Sequence, residues 1–287
     1  MFRNAVQTRN WRKSWSKKNS NPALVEDFYN MQKLFDQKAW SSYPGYYPIL
    51  QSHVGTMRKL NDEEKDLYLE LTNRFIWIRD YTSSIVDQLN QILTHFTKYT
   101  SNYVIRCIPL KDQKWSKSSG VMLYEIKNPE VRKQLVKPIT IVDKIEDIDQ
   151  LSDVSTSLFI LVDDFVGTGD TAEKCIKDLV QRSKAISGRM IIMCVAALQQ
   201  GVSRLSGLNV PVFADHILKK GISDYNTGYN LVKKKQLMQQ IESRLHISQN
   251  FSLGYGSSEA LICLKRCPNN TFPIFWYDSR YSPYPRY

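Results

Sequence analysis

The stretch Leu158–Thr171, LFILVDDFVGTGDT, constrains the fold more than any other part of this 287-residue chain. Five apolar residues run straight into two adjacent aspartates. A turn with Gly167 and Gly169 follows, and behind it Ala172, Cys175, Ile176, Leu179 and Val180 recur on one helical face. A short, wholly apolar run bounded by turn residues is the pattern of a strand buried on both sides, as strands are in a parallel sheet. The amphipathic segment behind it is the helix that covers such a sheet.

The flanking sequence supplies the other strands. NYVIRCIPL reads as a strand, GVMLYEIKNPEVRKQLV as mostly helix, and PITIV as a short strand. RMIIMCVAAL reads as a second buried strand and VPVFA as another short apolar segment. This alternation predicts an α/β fold, a parallel sheet flanked by helices. From Asn61 the pattern is helical: Asn61 can cap with Glu64, and Leu67, Leu71, Phe75, Ile78, Ile85, Leu89, Ile92 and Phe96 recur at helical spacing. Trp77 and Tyr81 read as packing residues. An earlier helical stretch, PALVEDFYNMQKLFDQKAW, precedes a turn-rich SSYPGYYPIL. After the sheet come a basic helical stretch, NLVKKKQLMQQIESRL, and a β-like, proline-punctuated end whose tail, YDSRYSPYPRY, suits an extended segment pinned on the surface. The expected organisation is a basic arm with a helical N-terminal extension (1–100), the α/β core (101–215) and a C-terminal β-rich hood or tail (216–287).

Composition narrows the function classes. An apolar content of 42% argues for a globular protein. The longest apolar run, Met190–Leu198, is far short of a membrane span, and the N-terminal segment lacks the apolar core of a secretory signal. Five scattered cysteines suit free thiols in a reducing cytoplasm. Cys263 and Cys267 have no second pair to complete a zinc site. The net charge of +11 is concentrated at one end, where the first 25 residues hold Arg3, Arg9, Arg12, Lys13, Lys17 and Lys18 and no acid. Such an arm attracts phosphate, and with Trp11 and Trp15 interleaved it suits single-stranded nucleic acid. Lys233, Lys234 and Lys235 would extend that footprint. A solvated leader, or a docking segment for a protein partner, fits the same composition.

Ligands of open parallel sheets bind at the carboxyl ends of the strands, where Asp163 and Asp164 fall. Adjacent strand residues face opposite sides, so one carboxylate can meet a ligand hydroxyl while the other works through a metal ion or a basic neighbour. The following VGTGDT offers backbone N–H groups at a helix start, with the Thr168 and Thr171 hydroxyls as further donors: a phosphate cradle. Asp170 with Glu173 can form a capping box. Carboxylates followed at once by an anion nest ask for a ligand that carries ribose and phosphate together. His216 and Asp215 do not make a convincing general base.

FILVDDFVGTGDT resembles the phosphoribosyl-pyrophosphate motif of type I phosphoribosyltransferases. The resemblance implies that Asp163 and Asp164 bind the ribose hydroxyls and Mg²⁺, and that Val166, Gly167, Thr168, Gly169, Asp170 and Thr171 wrap the 5′-phosphate. Phe165 is bulkier than the aliphatic norm, and Gly167 replaces a small or polar residue. These enzymes also use a pyrophosphate loop, for which Ile108–Gly120 offers Lys111, Lys114, Lys117, Ser118, Ser119 and Gly120. Lys117 would act on the leaving diphosphate while the Ser-Ser-Gly run cradles it; a plain solvated loop is the alternative. KKGISD (Lys219–Asp224) and GYGSSEALICLKRCPNNTFPIFWYD (Gly254–Asp278) are similar to a divergent phosphoribosyltransferase-like family of bacterial conflict and antiphage cassettes, some of them retron systems. There the Gly-Tyr-Gly and Pro-Asn-Asn-Thr segments are either structural or part of the hood over a second substrate. The resemblance implies binding of phosphoribosyl pyrophosphate or a nucleotide with Mg²⁺ in an antiphage effector, with cassette proteins such as a reverse transcriptase as partners. The alternative is a non-catalytic nucleotide-sensing or nucleic-acid-associated module.

Overall fold

A computed structural model describes residues 22–97, 103–110, 117–277 and 282–286, with the side chains of 22–24, 97, 117 and 118 outside the description. The basic arm with Trp11 and Trp15, and Lys111 and Lys114 of the basic loop, lie outside the described residues. The first helices are α1 (Pro22–Gln37), α2 (Tyr46–Met57) and α3 (Asp62–Arg74), followed by β1 (Ile76–Trp77) and α4 (Thr82–Thr97). The chain then alternates β2 (Val104–Pro109), α5 (Lys117–Lys127), α6 (Pro129–Arg132), β3 (Thr140–Ile141), β4 (Ser157–Val166), α7 (Asp170–Arg182), β5 (Met190–Leu198), α8 (Gln199–Ser206) and β6 (Val212–Leu218). It closes with α9 (Gly228–Arg244) and β7 (Ile262–Cys263).

Strands β2 to β6 form one five-stranded sheet in the order β3-β2-β4-β5-β6, with every pairing parallel. Strand alternation sorts the inner residues onto two faces. Ile105, Cys107, Ile160, Val162, Ile191 and Met193 pack with Ile85 and Leu89 of α4 and Met122 and Ile126 of α5. Ile108, Phe159, Leu161, Ile192 and Cys194 pack with Cys175, Ile176 and Leu179 of α7 and Leu205 of α8. Burial on both faces is why these strands read as continuous apolar runs.

The order of strands reverses direction between β2 and β4, which is where open α/β sheets hold their ligands. The register then opens a gap at that point. β2 pairs with β4 only as far as Pro109↔Val162, whereas β5 continues beside β4 to Val166↔Ala197. Asp163 to Val166 are therefore held by one neighbour and open on the other side.

The two ends of the chain share a third core. Phe28, Met31, Phe35, Trp40, Leu50, Tyr68, Phe75 and Trp77 pack with Met238, Ile241, Phe272, Phe275, Trp276 and Tyr284. Strand β1 pairs parallel with β7, so the joint between the ends is also a small sheet. Four expectations need correction here. The helical pattern from Asn61 breaks at Phe75, whose backbone is extended (φ −64°, ψ 141°), because Ile76 and Trp77 pair with Ile262 and Cys263; Phe75 and Ile78 thus fall outside helices. Among the described residues, the β content expected of the C-terminal extension comes down to the end of β6, β7 and one bridge, Ala260↔Thr271, while most of SSYPGYYPIL turns into a 3₁₀ turn and the start of α2. The described end of the tail, 282–286, is not a surface strap: Tyr284 is 4% exposed, lying flat on Phe75 with ring centroids 5.0 Å apart.

The capping box at Asn61 forms as expected, with Glu64 N–H donating to Asn61 Oδ1 (3.0 Å) and Asn61 N–H to Glu64 Oε2 (2.9 Å). All five cysteines are buried free thiols. Among the described residues no helix is long and apolar enough to cross a membrane.

Candidate functional site

The open end of β4 faces a cavity of about 400 Å³. Asp163 through Thr171 all line it, so the aspartate pair and the whole glycine-threonine loop meet in one space. Its other wall comes from the C-terminal extension: Tyr255, Arg266, Cys267, Asn269, Asn270 and Arg286. Leu110, near the start of the Ile108–Gly120 loop and buried, also lines the cavity.

Both aspartates are 7% exposed, and both reach the cavity although they are adjacent on the strand. The Asp164 N–H donates to Asp163 Oδ1 at 3.0 Å. Burial first, and the neighbouring Asp163 charge second, push the Asp164 carboxyl well above the usual carboxylate range. A ligand that brings hydroxyl donors or a cation relieves that cost.

The loop after the strand is built for close approach. An ideal Cβ on Gly167 would stand 2.5 Å from the Asn270 side chain. The glycine that departs from the phosphoribosyltransferase pattern is thus required by the residue that covers it. Gly254, of the Gly-Tyr-Gly segment, leaves the same kind of room for the Asn270 backbone. Asn270 is held from several sides: Ser258 Oγ donates to its carbonyl (2.9 Å), its own Nδ2 reaches Ser258 Oγ (3.2 Å), and Tyr255 N–H donates to Asn269 O (2.9 Å). The two segments singled out by the second resemblance therefore fold together over the loop.

Helix α7 starts after Gly169, which sits at φ 86° and makes no side-chain cap. The capping box expected of Asp170 and Glu173 does not form. Arg204, on α8, takes both carboxylates instead, bonding Asp170 and reaching Glu173 Oε2 at 2.5 Å. The Thr168 hydroxyl also donates to Asp170, at 2.5 Å. An acid beside a phosphate cradle is thereby compensated within the protein; the Asp170 N–H turns to the Thr168 hydroxyl, and the Thr171 and Ala172 N–H groups of the first turn of α7 face the anion position.

The basic loop is placed less directly. Helix α5 begins at Lys117, so Ser118, Ser119 and Gly120 form its first turn. Ser119 is buried at 1% exposure, and neither it nor Gly120 lines the cavity. The side chains of Lys117 and Ser118 are outside the description. Asp215 is exposed and His216 half-buried on the edge strand β6, away from the cavity lining. The cluster Lys233, Lys234 and Lys235 is not a free basic patch, because the three lysines pair with Glu63 (3.0 Å), Glu70 (2.6 Å) and Glu259 (3.1 Å).

Sequence reasoning missed Arg204, Arg266 and Arg286. Arg204 lies 31 residues beyond Glu173, and no local pattern links them. Arg286 follows the buried Tyr284, in a tail that reads as surface.

A carboxylate pair and a glycine-threonine loop at the reversal point of a parallel sheet define a phosphoribosyltransferase-like protein. The family model PRTase-CE matches residues 59–286, and the chain belongs to that family. No curated protein matches the sequence. Among solved structures, xanthine-guanine-hypoxanthine phosphoribosyltransferase of Helicobacter pylori is similar at 12% identity with a TM-score of 0.30, over 50% of this chain and 84% of that one. A likeness that loose carries no weight beside the topology and the site described above.

Proposed function

We propose that the cavity binds phosphoribosyl pyrophosphate, or a nucleotide of the same build, and that the protein is a phosphoribosyltransferase. One observation carries this: the aspartate pair, the Val166–Thr171 loop and the C-terminal wall converge on a single cavity. In this reading the Asp163 and Asp164 carboxylates accept hydrogen bonds from the ribose hydroxyls. The loop N–H groups with the Thr171 hydroxyl donate to the 5′-phosphate, while the Thr168 hydroxyl is given to Asp170.

The pair also fits Mg²⁺. Among the described residues no group of three or more His, Cys, Asp or Glu could hold a metal ion. Mg²⁺ typically takes one or two protein carboxylates and completes its shell with water and ligand phosphates, which is what Asp163 and Asp164 can offer. When bound, the ion supplies charge neutralisation for a diphosphate leaving from ribose C1. The chain's own residues then orient the ribose, hold the 5′-phosphate and exclude water beneath Asn270, so that catalysis is mostly positioning and charge stabilisation. The setting implied by the sequence resemblance makes this chemistry the effector step of an antiphage system, with the basic arm as a contact for nucleic acid or a cassette protein.

Incubation with labelled phosphoribosyl pyrophosphate and Mg²⁺, scoring bound label and released diphosphate separately, tests the reading. Binding with release identifies a transferase, and binding without release a sensor. No binding at millimolar ligand overturns both.

A further inference from the structure

Arg266, exposed, and Arg286, half-buried, line the cavity from the C-terminal wall, and neither makes an ion pair among the described residues. Arg286 Nε is shielded from solvent and makes no hydrogen bond there. Asp163 and Asp164 line the same space as the two arginines. Arg286 is nonetheless firmly placed. Its guanidinium lies over the Trp276 ring at 5.2 Å, and the Trp276 indole N–H donates to Thr271 O at 2.7 Å. Two residues earlier, Tyr284 is fixed against Phe75 and by its hydroxyl contact with His53 Nε2 at 3.3 Å.

We propose that Arg266 and Arg286 form a second anion subsite in this cavity, for a phosphate- or diphosphate-type group other than the one cradled by the Val166–Thr171 loop; this rests on the reading of that loop as the 5′-phosphate site. Two positive charges brought together in one cavity repel, and the Asp164 carboxylate of the same cavity offsets this only in part. Burial first, and the Arg266 charge second, hold the Arg286 guanidinium below its ordinary pKa. Arginine's planar fork matches phosphate oxygens two at a time, and a fork already stacked on an indole loses little freedom on binding. The anion has two sources: a diphosphate carried on ribose C1 of the same ligand, or an anionic group on a second substrate.

Calorimetry with ribose 5-phosphate, inorganic diphosphate and phosphoribosyl pyrophosphate, each with Mg²⁺, tests the assignment. The variant is Arg266→Gln with Arg286→Met, which keeps an apolar stem on Trp276, and thermal unfolding checks that it stays folded. The expected result is about tenfold or greater weakening for inorganic diphosphate, with ribose 5-phosphate unchanged. An equal loss for phosphoribosyl pyrophosphate places the subsite at ribose C1; an undiminished affinity for it places the subsite at a second substrate. Equal losses for diphosphate and ribose 5-phosphate overturn the proposal, because the arginines then only shape the cavity. So does wild-type protein that binds ribose 5-phosphate but no diphosphate. Wild-type protein that binds diphosphate through these arginines but no ribose 5-phosphate keeps the subsite and removes the reading under Proposed function.

Discussion

The sheet and the layer made from the two chain ends supply facing walls of one cavity, and they hold their functional groups by different means. On the sheet side, Asp163 to Val166 belong to a strand, so the backbone ladder with β5 fixes where the carboxylates sit. In the terminal layer there is little regular structure near the cavity, and buried carboxylates take over the ladder's task. Glu259, fully buried, accepts from Ile222 N–H (2.9 Å), Ser223 N–H (2.7 Å) and Ser223 Oγ (2.5 Å) and pairs with Lys235. Burial alone would raise its pKa, but these donors hold it below the usual range. Glu242 accepts from Leu253 N–H at 3.0 Å and Ser252 Oγ at 2.8 Å, just ahead of the Gly-Tyr-Gly segment. An aromatic cluster around Phe275, 4.6 Å from Phe75 and 5.3 Å from Tyr68 by ring centroid, backs the whole wall. The difference teaches that the ladder positions one wall through backbone, while the other depends on a few side chains and is the easier to disturb.

The comparison breaks most visibly at Phe275. Phe275→Ala should cost about 3–5 kcal/mol in chemical denaturation and should weaken ligand binding as well, since the wall carrying Arg286 and Asn270 loses its backing. A stability loss with unchanged affinity would show that the wall does not depend on this cluster.

Glu242 gives a pH test of the same wall. Burial, only partly offset by Ser252 and the Leu253 amide, raises its carboxyl to about 7 from the ordinary 4.5. A raised folded-state value means its stabilising contribution is complete below about 4.5 and disappears as pH rises through about 7. Wild-type stability should therefore fall by roughly 2–3 kcal/mol across that window relative to Glu242→Gln. Parallel pH profiles of the two proteins would contradict this.

Gly167→Ala sharpens the contact between the walls. The added methyl meets Asn270, and overpacking of this kind costs about 1–3 kcal/mol. Asn270→Ala in the same chain should recover part of the loss, a coupling that a double-mutant cycle measures. Arg204→Ala has the smallest expected effect, weakening ribose 5-phosphate binding by no more than about fivefold at an exposed, salt-screened site. Adding Asp170→Asn should restore the affinity, because the uncompensated carboxylate is gone.

How much of this was legible in the sequence follows the same division. The strands and α7 declare themselves through local periodicity, and the aspartates and the glycine-threonine loop through their place at a strand end. The terminal layer does not, because its determinants are distant. Phe75 and Ile78 keep helical spacing, yet the chain between them is pulled straight by pairing with residues some 185 positions away. The lysines of α9 look like a basic face until their glutamates arrive from α3 and from Glu259. Tyr284 reads as surface because its apolar neighbours lie at the other end of the chain.

The most direct test of the central claim, that the end of β4 is a ligand site completed by the terminal layer, is a calorimetric titration. Phosphoribosyl pyrophosphate with Mg²⁺ is titrated into wild-type protein and into the variant Asp163→Asn with Asp164→Asn. The account predicts that binding is lost while thermal unfolding shows an intact fold, since the carboxylates serve the ligand and their removal eases a buried like-charge pair. Unchanged affinity in the double variant would contradict it.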